Sequence, residues 1–163
     1  MHIIIKNKIL SYGHYKVKCA IGKRGIGVKK KEGDLITPKG TYKIKGILYR
    51  KDRLKKLRSK LKKMIITKKM GWCDDATSKQ YNRLIKLPFN YSHEKIWRND
   101  NIYDIILVLD FNMSPIRKNK GSAIFLHVAK KKFTPTKGCI AIRKKMLKRI
   151  VNEINKKTKI VIS

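Results

Sequence analysis

Cys139 and His127 are the two side chains whose types and spacing could together do covalent chemistry. They stand twelve positions apart. His127 closes an apolar run, Ser122–Val128, and Cys139 opens another, with Gly138 immediately before it. A thiol attacks carbonyl carbon as the thiolate, so it needs a base or a setting that lowers its pKa. Imidazole titrates near neutrality and can serve as that base. Their separation allows one strand end, one loop and a return, enough to bring both side chains within hydrogen-bond reach. Gly138 permits close backbone approach or unusual dihedrals. The amides of Gly138 and Cys139 could then face a developing oxyanion. From residue types alone the alternative stays open: a buried cysteine with an incidental histidine.

The elements that must hold this pair are mostly strands. Met1–Ile5, Lys8–Leu10 and Tyr15–Ile21 read as strands, with turns at Asn7 and Gly13. Gly22, Gly25 and Gly27 lack the GxGxxG pattern and no helix start follows, so they read as a flexible loop rather than a dinucleotide site. Glu32 through Ile44 reads as a turn feeding a strand, punctuated by Pro38 and Gly40. In the basic block Arg50–Lys69, Leu54, Leu57, Leu61 and Met64 recur at three- and four-residue steps, which predicts an amphipathic helix. Its leucines would touch the body of the protein; the alternative is a helix lying on an anionic surface. Trp72–Asp75 and Tyr81–Trp97 show little periodicity and read as ordered loops. Tyr103–Asp110 and Ser122–Val128 read as buried strands. Met146, Leu147, Ile150, Val151 and Ile154 mark a C-terminal helix, and Thr158–Ile162 a closing strand. The sum is a single mainly β domain over residues 1–163, with a few short helices including one near the C-terminus.

Forty-three basic against ten acidic residues give a formal charge of +33. Such a field attracts polyanions without regard to sequence. Lysine greatly outnumbers arginine, however, beside abundant isoleucine and asparagine, a mixture that codon bias in an AT-rich genome produces by itself. A surface built for phosphate contacts favours arginine. RNP-type aromatics, helix-turn-helix spacing and zinc knuckles are absent, so a basic binding protein for nucleic acid or another anionic polymer is the competing class of reading.

The three cysteines Cys19, Cys73 and Cys139 cannot all pair within one chain, and no CxxC or HxxxH spacing suggests a metal site. Cys19 lies in an apolar run and reads as an inert core thiol. Cys73, beside Asp74 and Asp75, has no metal-ligand spacing and is a poor nucleophile candidate. Met1–Leu10 holds a short isoleucine run broken by Lys6 and Lys8, too short for the apolar part of an export signal. No stretch is long enough to span a membrane. The expectation is a soluble chain without an export signal.

Thr136-Lys137-Gly138-Cys139-Ile140 resembles the Ser/Thr-x-Gly-Cys motif of the L,D-transpeptidases, the YkuD-like family. Thr37-Pro38-Lys39-Gly40-Thr41-Tyr42 resembles the Thr-Pro-x-Gly-x-aromatic strand start found early in that domain. Gly71–Asp75, Tyr81-Asn82-Arg83 and Ser92-His93-Glu94 with Trp97-Arg98 are similar to a compact bacterial subgroup, and the resemblance runs from about Ile3 to Ile142. It implies a β-sandwich or barrel and makes Cys139 the acylated nucleophile and His127 the general base. It also implies that the Val128 carbonyl orients the imidazole. Glycine or serine is commoner at Val128. Many members carry arginine two positions after the cysteine; here Ala141 stands there, and Arg143 is two further on. The loop between histidine and cysteine is also shorter than in many relatives.

The implied chemistry is two-step acyl transfer on peptidoglycan tetrapeptide stems. Cys139 attacks the L-centre carbonyl of a diaminopimelate–D-alanine bond, and a second stem resolves the thioester into a 3→3 cross-link. Resolution by water would instead give an L,D-carboxypeptidase or endopeptidase. No metal or organic cofactor is required. The family implies the periplasm or cell envelope; with no export signal visible, the cytoplasm is the alternative. Ser122 and Thr136 flank the pair as candidate substrate-binding hydroxyls, although such hydroxyls often cap turns. His93 and Trp97 are candidates for a lid or substrate wall, and His93 also reads as a structural loop histidine.

Overall fold

The N-terminal isoleucines follow the period of two that a half-buried strand dictates: Ile3 and Ile5 are fully buried and Ile4 is 45% exposed. In a computed structural model covering residues 1–163 they form β1 (Ile3–Lys6), which pairs antiparallel with β2 (Ile9–Tyr12), itself antiparallel to β3 (Tyr15–Lys18). The turns fall where expected, at Asn7 and Gly13, both with positive φ. The glycine-rich loop is ordered by two short parallel strands, β4 (Ile26–Gly27) and β5 (Thr37–Pro38). The long β6 (Gly40–Tyr49) follows, with β7 (Lys63–Ile65) parallel to its end. Next come β8 (Met70–Cys73), β9 (Leu84–Lys86) and β10 (His93–Lys95), then β11 (Ile105–Leu109), β12 (Phe125–Val128) and β13 (Ile140–Ile142). One helix, α1 (Lys144–Glu153), and a last strand, β14 (Lys159–Ile162), complete the chain.

The main sheet runs in the order β13-β12-β11-β6-β14-β1-β2-β3, with β7 alongside β6. Just beyond β3, Ala20 exchanges both backbone hydrogen bonds with Ala141 of β13, at 2.8 and 2.9 Å. That bridge brings the last strand of the order back to the first, so the sheet is nearly closed and barrel-like. The expected mainly β architecture with a C-terminal helix is what forms, with a single helix.

Both faces of the central strands are buried, and alternation divides them between two cores. Ile105, Leu107 and Leu109 of β11, Leu126 and Val128 of β12, and Ile140 and Ile142 of β13 join Leu147, Ile150 and Val151 of α1 in the larger core. Ile106, Val108 and Phe125 face the other way, into a smaller core with Trp72, Ile96 and Tyr103, capped by the three-stranded sheet β10-β8-β9. Lys144 of α1 reaches the fully buried Asp104 at 2.6 Å, and Arg53 meets the same carboxylate at 2.8 Å. No helix is long and apolar enough to cross a membrane.

Two sequence expectations are corrected. The basic block does not form a helix: between β6 and β7 the chain is irregular, although Leu54, Leu57 and Leu61 are buried in the larger core. Residues 53–69 contain no carboxylate, so every i,i+4 charge pair on such a helix would be repulsive. The backbone is satisfied instead by strand-like contacts, Ile47 N–H donating to the Lys62 carbonyl and Ile66 N–H to that of Tyr49. Met64, expected beside the leucines, lies in β7 and is 40% exposed. The segments Trp72–Asp75 and Tyr81–Trp97 are not loops throughout, because they supply β8, β9 and β10. Each strand is three or four residues long, too short for periodicity to register.

Candidate active site

β12 and β13 run parallel, with Leu126 opposite Ile140 and His127 opposite Ala141. Residues two apart on a strand share a face. Phe125 and His127 therefore lie on the same face as Ala141 and Cys139, away from the larger core. Cys139 stands just before the first residue of β13, diagonal to His127. This is how a loop of this length brings the two together.

The loop itself is held by a turn around Thr136. Its Oγ1 donates to the Cys139 carbonyl at 2.6 Å and accepts from the Gly138 amide at 3.1 Å. Gly138 has φ +141°, and a Cβ there would lie 2.9 Å from the Ile36 carbonyl. Only glycine fits that approach. The contact joins the Cys139 loop to the segment leading into Thr37, whose Oγ1 accepts from the Gly22 amide at 2.7 Å. The two sequence motifs are thus packed against each other.

The thiol rests among backbone groups. Cys139 Sγ–H donates to the Ala123 carbonyl at 3.1 Å, and the Phe125 amide donates to Sγ at 3.4 Å. Burial, reinforced by the negative charge of Glu94, pushes the Cys139 pKa up to about 12. His127 is buried, and Nδ1–H donates to the Val128 carbonyl at 3.0 Å. That bond leaves Nε2 as the ring's basic nitrogen. Burial brings the imidazole pKa down to about 4. No hydrogen bond joins Sγ to the imidazole in this resting arrangement. Both shifts favour the neutral thiol and the neutral imidazole over a thiolate–imidazolium pair.

Of the two expected oxyanion donors, the Gly138 amide is engaged by Thr136, whereas the Cys139 amide makes no hydrogen bond within the chain. Ser122 is buried beside Ala123 and its hydroxyl has no partner. Thr136 lies in the loop, its hydroxyl committed to the turn. Neither His93 nor Trp97 makes a hydrogen bond or ring contact with Cys139 or His127. His93 Nδ1 bonds the Tyr91 carbonyl at 2.8 Å and its ring meets Phe89 edge-on. The Trp97 ring carries the Arg50 guanidinium 3.5 Å from its centroid.

Three residues to which sequence reasoning attached no role complete the surroundings. Tyr103 meets the His127 ring edge-on at 5.3 Å and donates its hydroxyl to Glu94 Oε1. Glu94 follows His93 on β10 and so points to the opposite face, toward the thiol. Burial raises its pKa, against the Tyr103 hydrogen bond and the charges of Arg98 and Lys137. Asn82 holds the Ala123 segment in place. Its Oδ1 accepts from Trp72 Nε1 and the Ala123 amide, both at 3.0 Å, and its Nδ2 donates to the carbonyls of Phe111 and Asn112. Recognising that 81–97 contains strands would have flagged Glu94; Asn82 stands in the Tyr81-Asn82-Arg83 motif without a role attached, and nothing local marks Tyr103.

A cysteine, a tautomer-fixed histidine and a free amide on one wall suit acyl transfer through a thioester. Comparison with known proteins agrees on the family. A search of curated proteins returns no match. The model of the L,D-transpeptidase catalytic domain, YkuD, matches residues 3–162, and the chain therefore belongs to that family, whose substrates are peptidoglycan stem peptides.

Proposed function

We propose that this protein is a cysteine-dependent L,D-transpeptidase that forms 3→3 cross-links through a thioester on Cys139. The observation that carries the reading is the shared face of β12 and β13. It sets Cys139 diagonal to His127, whose Nδ1–H is tied to the Val128 carbonyl. Cys139 Sγ attacks the L-centre carbonyl of the diaminopimelate–D-alanine bond while His127 Nε2 takes the thiol proton. The Cys139 amide donates to the oxyanion. As the intermediate collapses, the C–N bond breaks and His127 delivers the proton to the departing D-alanine nitrogen. The side-chain amine of a second stem then attacks the thioester carbonyl. It loses a proton to His127, and the sulfur leaves and regains that proton. Water in place of the amine ends the same acyl-enzyme as a free tripeptide stem. The substrate places this chemistry in the cell envelope.

Incubation of the purified chain with a disaccharide-tetrapeptide, with products sorted by mass, tests the reading. Cross-linked dimer and free D-alanine are expected, and neither should form with Cys139→Ala, whose far-UV circular dichroism should match the wild type. Retained turnover in Cys139→Ala would refute it, and tripeptide without dimer would replace transfer by hydrolysis.

A further inference from the structure

Two opposite charges stand against Tyr103 without neutralising each other. Glu94 and Arg98 are both attached to Tyr103, Glu94 through the hydroxyl and Arg98 through the ring, with its guanidinium carbon 5.5 Å from the centroid. Glu94 uses Oε1 for Tyr103; its Oε2 accepts no hydrogen bond and is not sealed from solvent. Arg98 uses Nε and Nη2 on Asp100, at 2.9 and 2.7 Å, which fixes the guanidinium plane and leaves Nη1 without a partner. The Arg98 side chain is 34% exposed. No ion pair joins Arg98 to Glu94. Asp74 and Lys137 are the other charges acting on Glu94, and both Cys139 and His127 feel this pair, Cys139 through Glu94 and His127 through Arg98.

Lys29 also acts on the thiol, but its ammonium is committed to Asp34 at 2.6 Å. Ala141, opposite His127, is 1% exposed and packed with Ala20 and Ala129. Arg143 lies over the Phe133 ring, its guanidinium carbon 4.6 Å from the centroid.

We propose that Glu94 and Arg98 form a clamp for a zwitterionic amino-acid head group: Glu94 Oε2 accepts from the ammonium and Arg98 Nη1 donates to the carboxylate. Resting on the acyl-transfer reading above, the head group is the D-centre of the donor stem's diaminopimelate, whose L-centre carbonyl lies at Cys139. Both are specificity-determining residues. A charged group that desolvates another without a partner is costly, whereas a charge-assisted hydrogen bond is strong. An ammonium bound at Glu94 also offsets the negative charge that disfavours the Cys139 thiolate, so the matching substrate eases the proton's departure.

Single-turnover release of D-alanine by the full chain tests the clamp with three tetrapeptide stems. One carries diaminopimelate, one carries diaminopimelate acetylated on its side-chain amine, and one carries L-lysine, which keeps the ammonium but lacks the carboxylate. Loss of one charge-assisted bond should raise the half-saturating concentration of wild type about ten- to a hundredfold for either altered stem, with a smaller change in maximal rate. Glu94→Gln, which still accepts from Tyr103, should abolish the preference for the free ammonium. Arg98→Gln should abolish the preference for diaminopimelate over lysine. Wild type that releases D-alanine equally from all three stems overturns the clamp alone, and needs no variant to fold. So do variants that keep both preferences. Release from none of the stems overturns the acyl-transfer reading, and the clamp with it.

Discussion

The Tyr103 ring meets the His127 imidazole edge-on, centroids 5.3 Å apart and planes at 83°, while the Val128 carbonyl holds the imidazole's Nδ1–H at 3.0 Å. The imidazole is thus fixed by a hydrogen bond within its own strand and by an aromatic wall from the chain leading into β11. The two should be separable. Tyr103→Phe keeps the ring and loses only the bond to Glu94, so D-alanine release should fall by no more than about tenfold. Tyr103→Ala removes a buried ring and should cost about 3–5 kcal/mol of stability by denaturant unfolding. Equal loss in both variants would mean that the hydroxyl, not the ring, positions His127.

The neutral resting pair makes a distinct pH profile. With Cys139 near 12 and His127 near 4, both stay neutral across the ordinary range, so kcat/KM should be level there and fall as pH drops through about 4. Iodoacetamide, which needs the thiolate, should alkylate Cys139 slowly at neutral pH and ever faster as pH rises. A plateau at neutrality would indicate a preformed ion pair. Stability carries the same signs. The folded imidazole pKa lies below its ordinary 6.5, so stability is lost as pH falls from 6.5 toward 4. The folded thiol pKa lies above its ordinary 9.0, so stability is lost as pH rises from 9.0 toward 12.

Gly138 combines a left-handed backbone with contact against the Ile36 carbonyl. Gly138→Ala should lower stability by about 1–3 kcal/mol and displace the Cys139 amide, cutting acylation more than substrate binding. Thermal melting and single-turnover acylation check the two parts; unchanged acylation with lowered stability would detach this amide from the oxyanion.

Leu57 is 4% exposed in an irregular segment, so Leu57→Ala should cost about 2–5 kcal/mol without any loss of helical circular dichroism. A surface helix would give the reverse, a reduced helical signal at small cost.

That leucine shows where sequence and structure part. Spacing at Leu54, Leu57 and Leu61 correctly marked core residues, but periodicity cannot tell a helix from an irregular strap pinned at matching intervals. The uninterrupted positive charge favoured the strap. The shared face of Cys139 and His127 was legible because both sit at strand ends whose apolar runs are plain in the sequence. The wall opposite was not. Glu94, whose charge acts on the thiol, is one residue from His93 on a three-residue strand and faces the opposite way. Tyr103 and Asn82 act through contacts that only the folded chain creates. Ala141, where many family members carry arginine, is buried and packs with Ala20 and Ala129 beside the bridge that closes the sheet.

The most direct test of the central claim is intact and peptide mass spectrometry after incubation with a carbapenem, whose strained lactam acylates an activated thiol in the manner of the stem carbonyl. One adduct, located on Cys139 and absent from Cys139→Ala, is the expected result. An adduct on Cys19 or Cys73 with Cys139 unmodified would contradict the assignment of the nucleophile.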